Sequence, residues 1–196
     1  MGYWSKELAG VYVVETKEID TTKADKFAED MITKENDEKF LHNRYNYERK
    51  DRVEKNVIGK YGEEAFKIFM NEICKLDFTV DYEKWEGSRV VDSNDAFISG
   101  YNIDVKFSRD NQNRGIAKCY QQLNFMVPKT QTVKDITVWG FCDINMEKFY
   151  ILAWIDKETY MENCTTAVWD GVPNYNLPLR ERHSIPQLVG QLLWNA

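Results

Sequence analysis

Between Val53 and Leu76 the apolar residues recur at Ile58, Tyr61, Ala65, Ile68 and Phe69, the three-to-four spacing that predicts an amphipathic helix over 53–76. The period then shortens to two. "DFTVDYE" (77–83), "SRVVDSNDAFISG" (88–100), "YNIDVKFS" (101–108), "DITVWGFCDI" (135–144) and "KFYILAWI" (148–155) alternate or run apolar over strand lengths. Ser99-Gly100 between the second and third of these predicts a tight hairpin turn. The stretch between the third and fourth, with "NQNRG" and "AKCYQQLNFMV", reads as loop and partly helix. The ending "PNYNLPLRERHSIPQLVGQLLWNA" reads as loop, short strand and terminal helix. Thr21 to Arg52 is highly charged with scattered aromatics, the pattern of helices with a solvated face. The expected organisation is a charged, helical N-terminal extension (1–52) on an α/β domain (53–196), the two forming one globular unit.

Composition narrows the class. With 196 residues, 43% hydrophobic and 14% aromatic, the chain can bury a core. No apolar run approaches a membrane span and no signal peptide opens the sequence, so a cytoplasmic location is expected. Cys74, Cys119, Cys142 and Cys164 lack zinc or disulfide spacing and are expected as reduced thiols. A net charge of −6 and a pI near 5.1 argue against a basic nucleic-acid-binding face. They do not exclude phosphate chemistry, because a cluster of carboxylates turns cationic once it is loaded with metal.

Candidate chemistry centres on "ISGYNIDVKF". With Ile103, Val105 and Phe107 on one strand face, Asp104 and Lys106 share the other. Taken alone, such a pair is most simply a surface ion pair. Asp95, opening the preceding strand, lies opposite Asp104 across the hairpin, and two facing carboxylates repel unless a cation sits between them. A third acid is available on the helix, Glu63 or Glu64 in "GKYGEEAF". Helical projection puts Glu64 nearer the apolar stripe.

The order of "YGEEAF", "NDAFISGYNIDVKFS" and "DITVWGFCDINMEKFYILAWI" resembles the PD-(D/E)XK nuclease superfamily, in particular small phage and bacterial members. The likeness covers roughly residues 53–156. It departs where Asn94, not proline, precedes Asp95. The resemblance implies a restriction-endonuclease-like core, a mixed central sheet flanked by helices, and a deoxyribonuclease that activates water with Mg²⁺ or Mn²⁺. Asp95, Asp104 and the Val105 carbonyl would hold the ion, with Glu63 completing the shell. Lys106 would orient the attacking water. The resemblance favours Glu63 over Glu64, against the helical projection, and both stay candidates.

Weaker candidates for gripping substrate are Ser108, Arg109 and Arg114 in the loop after the lysine strand, and Gln121 and Gln122 in the helix that follows. Tyr45, Tyr47, Trp139, Trp154 and Trp169 include possible base-stacking platforms, though tryptophans at this density mostly belong to cores. Asp92, Asp110, His42 and His183 receive no role. The expected partner is DNA, with no membrane and a homodimer left open. The competing readings are a nuclease-fold binding, scaffold or inhibitor protein without catalysis, and an RNA-processing nuclease.

Overall fold

The computed structural model describes residues 1–35, 49–82, 95–122, 124–169, 171–178 and 181–194. The architecture is mixed α/β. Six strands form the main sheet: β1 (Tyr3–Trp4), β2 (Tyr12–Glu15), β3 (Ala96–Ile98), β4 (Tyr101–Arg109), β6 (Ile136–Cys142) and β7 (Lys148–Asp156). Their order is β1-β2-β7-β6-β4-β3. Neighbours are antiparallel except β4 and β6, whose parallel pairing requires the crossover supplied by helix α3 (Ile116–Gln122) and the segment after it. A second sheet of three strands, in the order β5-β9-β8, contains β5 (Asn124–Pro128), β8 (Thr165–Trp169) and β9 (Val172–Pro178).

Alternation along the central strands builds two cores, one on each face of the main sheet. Tyr12, Val14, Ile103, Val105, Val138 and Ile151 point to the side covered by helices α2 (Arg49–Phe69) and α5 (Ile185–Trp194). Val13, Trp139, Phe141, Leu152 and Ala153 point to the other, where Phe125, Leu177 and Tyr160 of helix α4 (Lys157–Asn163) close over them. Helix α2 turns its Tyr61, Ala65, Phe66 and Phe69 into the first core, so the helical stripe and the strand alternation meet there.

Three expectations change. Residues 1–35 are built into the fold, because β2 is an internal strand with Val11 to Val14 all buried, and Ala24 and Ala28 of helix α1 (Thr21–Glu35) are buried too. Helix α2 also runs through the expected boundary at 52/53. Residues 77–82 form no strand; Phe78 and Val80 are still buried with alternating solvent-facing neighbours, so the period-two signal marks an extended chain laid on the core without a ladder. Finally, "NFMV", expected within a looped and partly helical stretch, is a strand of the second sheet; "TTAVW", for which the pattern carried no expectation, is another. Tyr45, Tyr47, Asp92, His42 and the expected strand residues 88–94 lie outside the described residues.

Candidate functional site

The β3–β4 hairpin turns through Ser99 and Gly100, both with positive φ (+50° and +84°), the twist-matched geometry of a two-residue loop. Register then runs Ile98↔Tyr101, Phe97↔Asn102, Ala96↔Ile103, and one step further brings Asp95 level with Asp104. The Val105 N–H donates to the Asp95 carboxylate at 2.7 Å, which ties that side chain to β4. Asp104 and Lys106, on the face opposite Ile103 and Val105, form an ion pair with Nζ 2.8 Å from Oδ2 and 3.1 Å from Oδ1.

Helix α2 brings the third acid. It approaches β4 closely because Gly62 has no side chain: a Cβ there would stand 2.3 Å from Cδ2 of Phe107. The same ring fills the space over Gly140 of β6, where a Cβ would stand 2.2 Å from Cε1. Phe107 is thus wedged between two backbones, and the residue after Gly62 is placed by that wedge. Glu63 is buried and accepts from Lys60 Nζ at 2.7 Å; the same ammonium donates to the Asp81 carbonyl at 2.7 Å and lies over the Phe27 ring.

The electrostatics tie the three acids together. Burial, then the charge of Asp95, pushes the Glu63 carboxyl up to about 8, against the pull of Lys60. Burial, then the charge of Asp104, raises Asp95, while the Val105 N–H, Lys106 and Lys60 oppose the rise. Glu63, Asp95 and Asp104 are therefore one repelling series with two lysines beside it. Glu64 is elsewhere: it is buried against the Tyr82 hydroxyl (2.9 Å) and Lys67 (3.2 Å), and burial together with that carboxylate raises Tyr82 well above the ordinary phenol. Lys60 was not singled out in the sequence. Its place three residues before Glu63 on α2 was the available signal.

A hard divalent cation suits this donor set. Asp95 and Asp104 repel each other in its absence, and the Val105 carbonyl is an oxygen donor in the same strand. Among the described residues no group of three or more His, Cys, Asp or Glu side chains is gathered tightly enough to hold a metal by itself. The fit thus rests on the two aspartates and the carbonyl, with Glu63 behind them.

The weaker candidates divide. Ser108 is exposed at the end of β4. Arg109 is engaged by both oxygens of Glu54, with Nη2 to Oε2 at 3.0 Å, and its Nε donates to Asn111 at 2.8 Å. Arg114 Nε faces Asp110 Oδ1 at 3.5 Å, an ion pair without hydrogen-bond geometry. Asp110 organises this loop by accepting the Gly115 N–H at 2.8 Å; burial pushes its carboxyl up, and the N–H groups of Arg114, Gly115 and Gln112 more than offset that and hold it low. Gln121 is exposed on α3, and the Gln122 side chain lies outside the described residues. His183 pairs with Asp156 at 3.2 Å, remote in the chain from the acids.

No family model matches the chain, and neither the curated proteins nor the solved structures contain a significant match to it.

Proposed function

We propose that this protein is a divalent-metal-dependent nuclease that hydrolyses phosphodiester bonds in DNA, on a restriction-endonuclease-like core of the PD-(D/E)XK type. The observation that carries the reading is the meeting of Asp95, Asp104 and Lys106 at one hairpin, with Glu63 electrostatically coupled to Asp95. Repelling carboxylates removed from water cost stability unless a cation lies between them, and such arrangements cluster at functional sites. The element order supports it as well: a glutamate-bearing helix, an antiparallel hairpin, a helical crossover and a parallel strand follow one another as α2, β3–β4, α3 and β6.

The roles follow from chemistry. Asp95, Asp104 and the Val105 carbonyl would hold Mg²⁺ or Mn²⁺, which when bound supplies Lewis-acid polarisation of water and of the phosphate. Lys106, held by Asp104 and still partly exposed, orients the attacking water and offsets charge on the scissile phosphate. Glu63 backs the site, its carboxyl pushed up to about 8 by burial and then by the charge of Asp95. Lys60 keeps Glu63 oriented.

The test is a nuclease assay on linear, circular, single-stranded and branched DNA with Mg²⁺, Mn²⁺ or EDTA. Cleavage that requires the divalent ion supports the proposal. No cleavage of any substrate by folded protein would leave a binding or scaffold module as the better account.

A further inference from the structure

Beside the acid cluster, Lys106 opens into a cleft of about 590 Å³ between the main sheet and the three-stranded sheet. Its base is closed by the buried rings of Phe125 and Trp139, stacked with centroids 4.0 Å apart, Trp139 also stacking with Tyr160 at 6.1 Å. One wall carries Trp169, at the end of β8 where the β8–β9 hairpin turns, a residue left 59% exposed. Among the described residues the cleft is lined by three cations, Lys106, Arg109 and Arg114, and by no acid, although the chain carries a net charge of −6. Glu54, Asp104 and Asp110 hold these cations in place, and each cation keeps a quarter or more of its side chain exposed (25% for Arg109, 27% for Lys106, 28% for Arg114).

An exposed indole wall and a cationic rim are the two recognition elements of a single nucleotide: a π surface for the base and donors for its phosphate. The volume is that of a pocket for one small ligand, and a stacked duplex cannot enter it. Trp169 belongs to neither core cluster, so its ring is free to stack on a ligand.

We infer that this cleft takes an unstacked base of single-stranded DNA, with Trp169 as its stacking platform, so that the adjoining phosphate is presented to Lys106. The inference rests on the nuclease reading and deepens it: the substrate is single-stranded DNA, or the frayed or flapped end of a duplex. Arg114 grips backbone at the rim. Arg109, fixed by Glu54 at two points, forms a rigid edge.

The experiment is fluorescence-anisotropy titration of the full chain with labelled oligo(dT) and with a blunt duplex of equal length, in EDTA so that nothing is cut. Wild type should bind oligo(dT) more tightly than the duplex. Trp169→Ala should weaken oligo(dT) binding about tenfold, the scale of one lost stacking partner, and Trp169→Tyr should restore most of it. Val168→Ala, at a neighbouring exposed position (68%), should change nothing. Because Trp169 is mostly solvated, these variants should keep the wild-type melting temperature. Equal affinity of wild type and Trp169→Ala for oligo(dT), or preference for the duplex, overturns the inference. Failure here is distinguishable from failure of the nuclease reading, because metal-dependent cleavage of duplex DNA that survives in Trp169→Ala would leave the latter intact.

Discussion

Replacing Gly62 by alanine tests whether the wedge of Phe107 sets the position of the acid helix. The new methyl would stand 2.3, 2.4 and 2.8 Å from Cδ2, Cγ and Cβ of Phe107, where carbon atoms ordinarily rest at about 3.5–4.0 Å. The ring cannot retreat, because Gly140 is pressed against its far edge. Helix α2 and strand β4 must therefore part by about 1 Å, an overpacking that costs about 1–3 kcal/mol. Alanine returns up to about 1 kcal/mol of helix propensity, which leaves a net loss of about 0–2 kcal/mol and a drop in melting temperature of up to about 8 °C. Gly59 supplies the control, since nothing lies within 4 Å of a Cβ built there; Gly59→Ala on the same helix should stabilise by up to about 1 kcal/mol. Phe107→Leu will cost stability alone by leaving a cavity, yet combined with Gly62→Ala it should cost less than the sum, with a coupling of about 0.5 kcal/mol or more. Urea unfolding of the four proteins measures each quantity. A Gly62→Ala protein stabilised as much as Gly59→Ala, or strict additivity with Phe107→Leu, would refute the wedge.

Three other outcomes follow from the site. Glu63 holds a folded-state pKa of about 8 against an ordinary 4.5, so its contribution to stability is fully present below about pH 4.5 and is lost as pH rises through about 8. At about 1.4 kcal/mol per unit the interval amounts to as much as about 5 kcal/mol in metal-free protein, and Glu63→Gln should flatten the fall in urea-derived stability between pH 5 and 8; equal slopes for the two proteins would contradict it. Millimolar Mg²⁺ or Mn²⁺ should raise the wild-type melting temperature with the logarithm of concentration and should do less for Asp104→Asn, while monovalent salt should not substitute; insensitivity of both proteins would count against a cation site. Tyr82→Phe removes the hydroxyl bonded to buried Glu64 and should cost about 1–3 kcal/mol in unfolding experiments without slowing cleavage per folded molecule; a selective loss of activity would return Glu64 to the site.

The hairpin was legible because three signals coincide there. Alternation from Ile103 to Phe107 fixes the faces, Ser99-Gly100 accepts positive φ at both turn positions, and Asp95 then falls opposite Asp104 by counting. Helix α2 and the long strands β6 and β7 were equally plain. Strand β2 was obscured because "VYVV" is buried on both faces and sits beside the charged stretch that becomes α1. Strand β8 had no alternation to read, since all five of its residues are exposed or only half-buried. Residues 77–82 show the converse, a period-two pattern made by burial alone. Helical projection favoured Glu64 for the sheet side, and that residue is indeed the more deeply buried of the two, but its partners are Tyr82 and Lys67 rather than the aspartates. Such a choice turns on the rotation of one helix against one strand, set here by Gly62 and Phe107, and no single-segment pattern encodes it.

The central claim is that Lys106 and Asp104 do different jobs at one hydrolytic site, and a cleavage time course of Lys106→Ala beside metal calorimetry tests it most directly. Both side chains are partly exposed and line no core, so the variant should fold as wild type does. Lys106→Ala should bind Mg²⁺ or Mn²⁺ with little change and cut DNA about 10² to 10⁴ times more slowly, whereas Asp104→Asn should lose both metal binding and cleavage. If purified Lys106→Ala cut every DNA substrate at the wild-type rate, the lysine would be a surface ion-pair partner of Asp104 and the proposed site would be wrong.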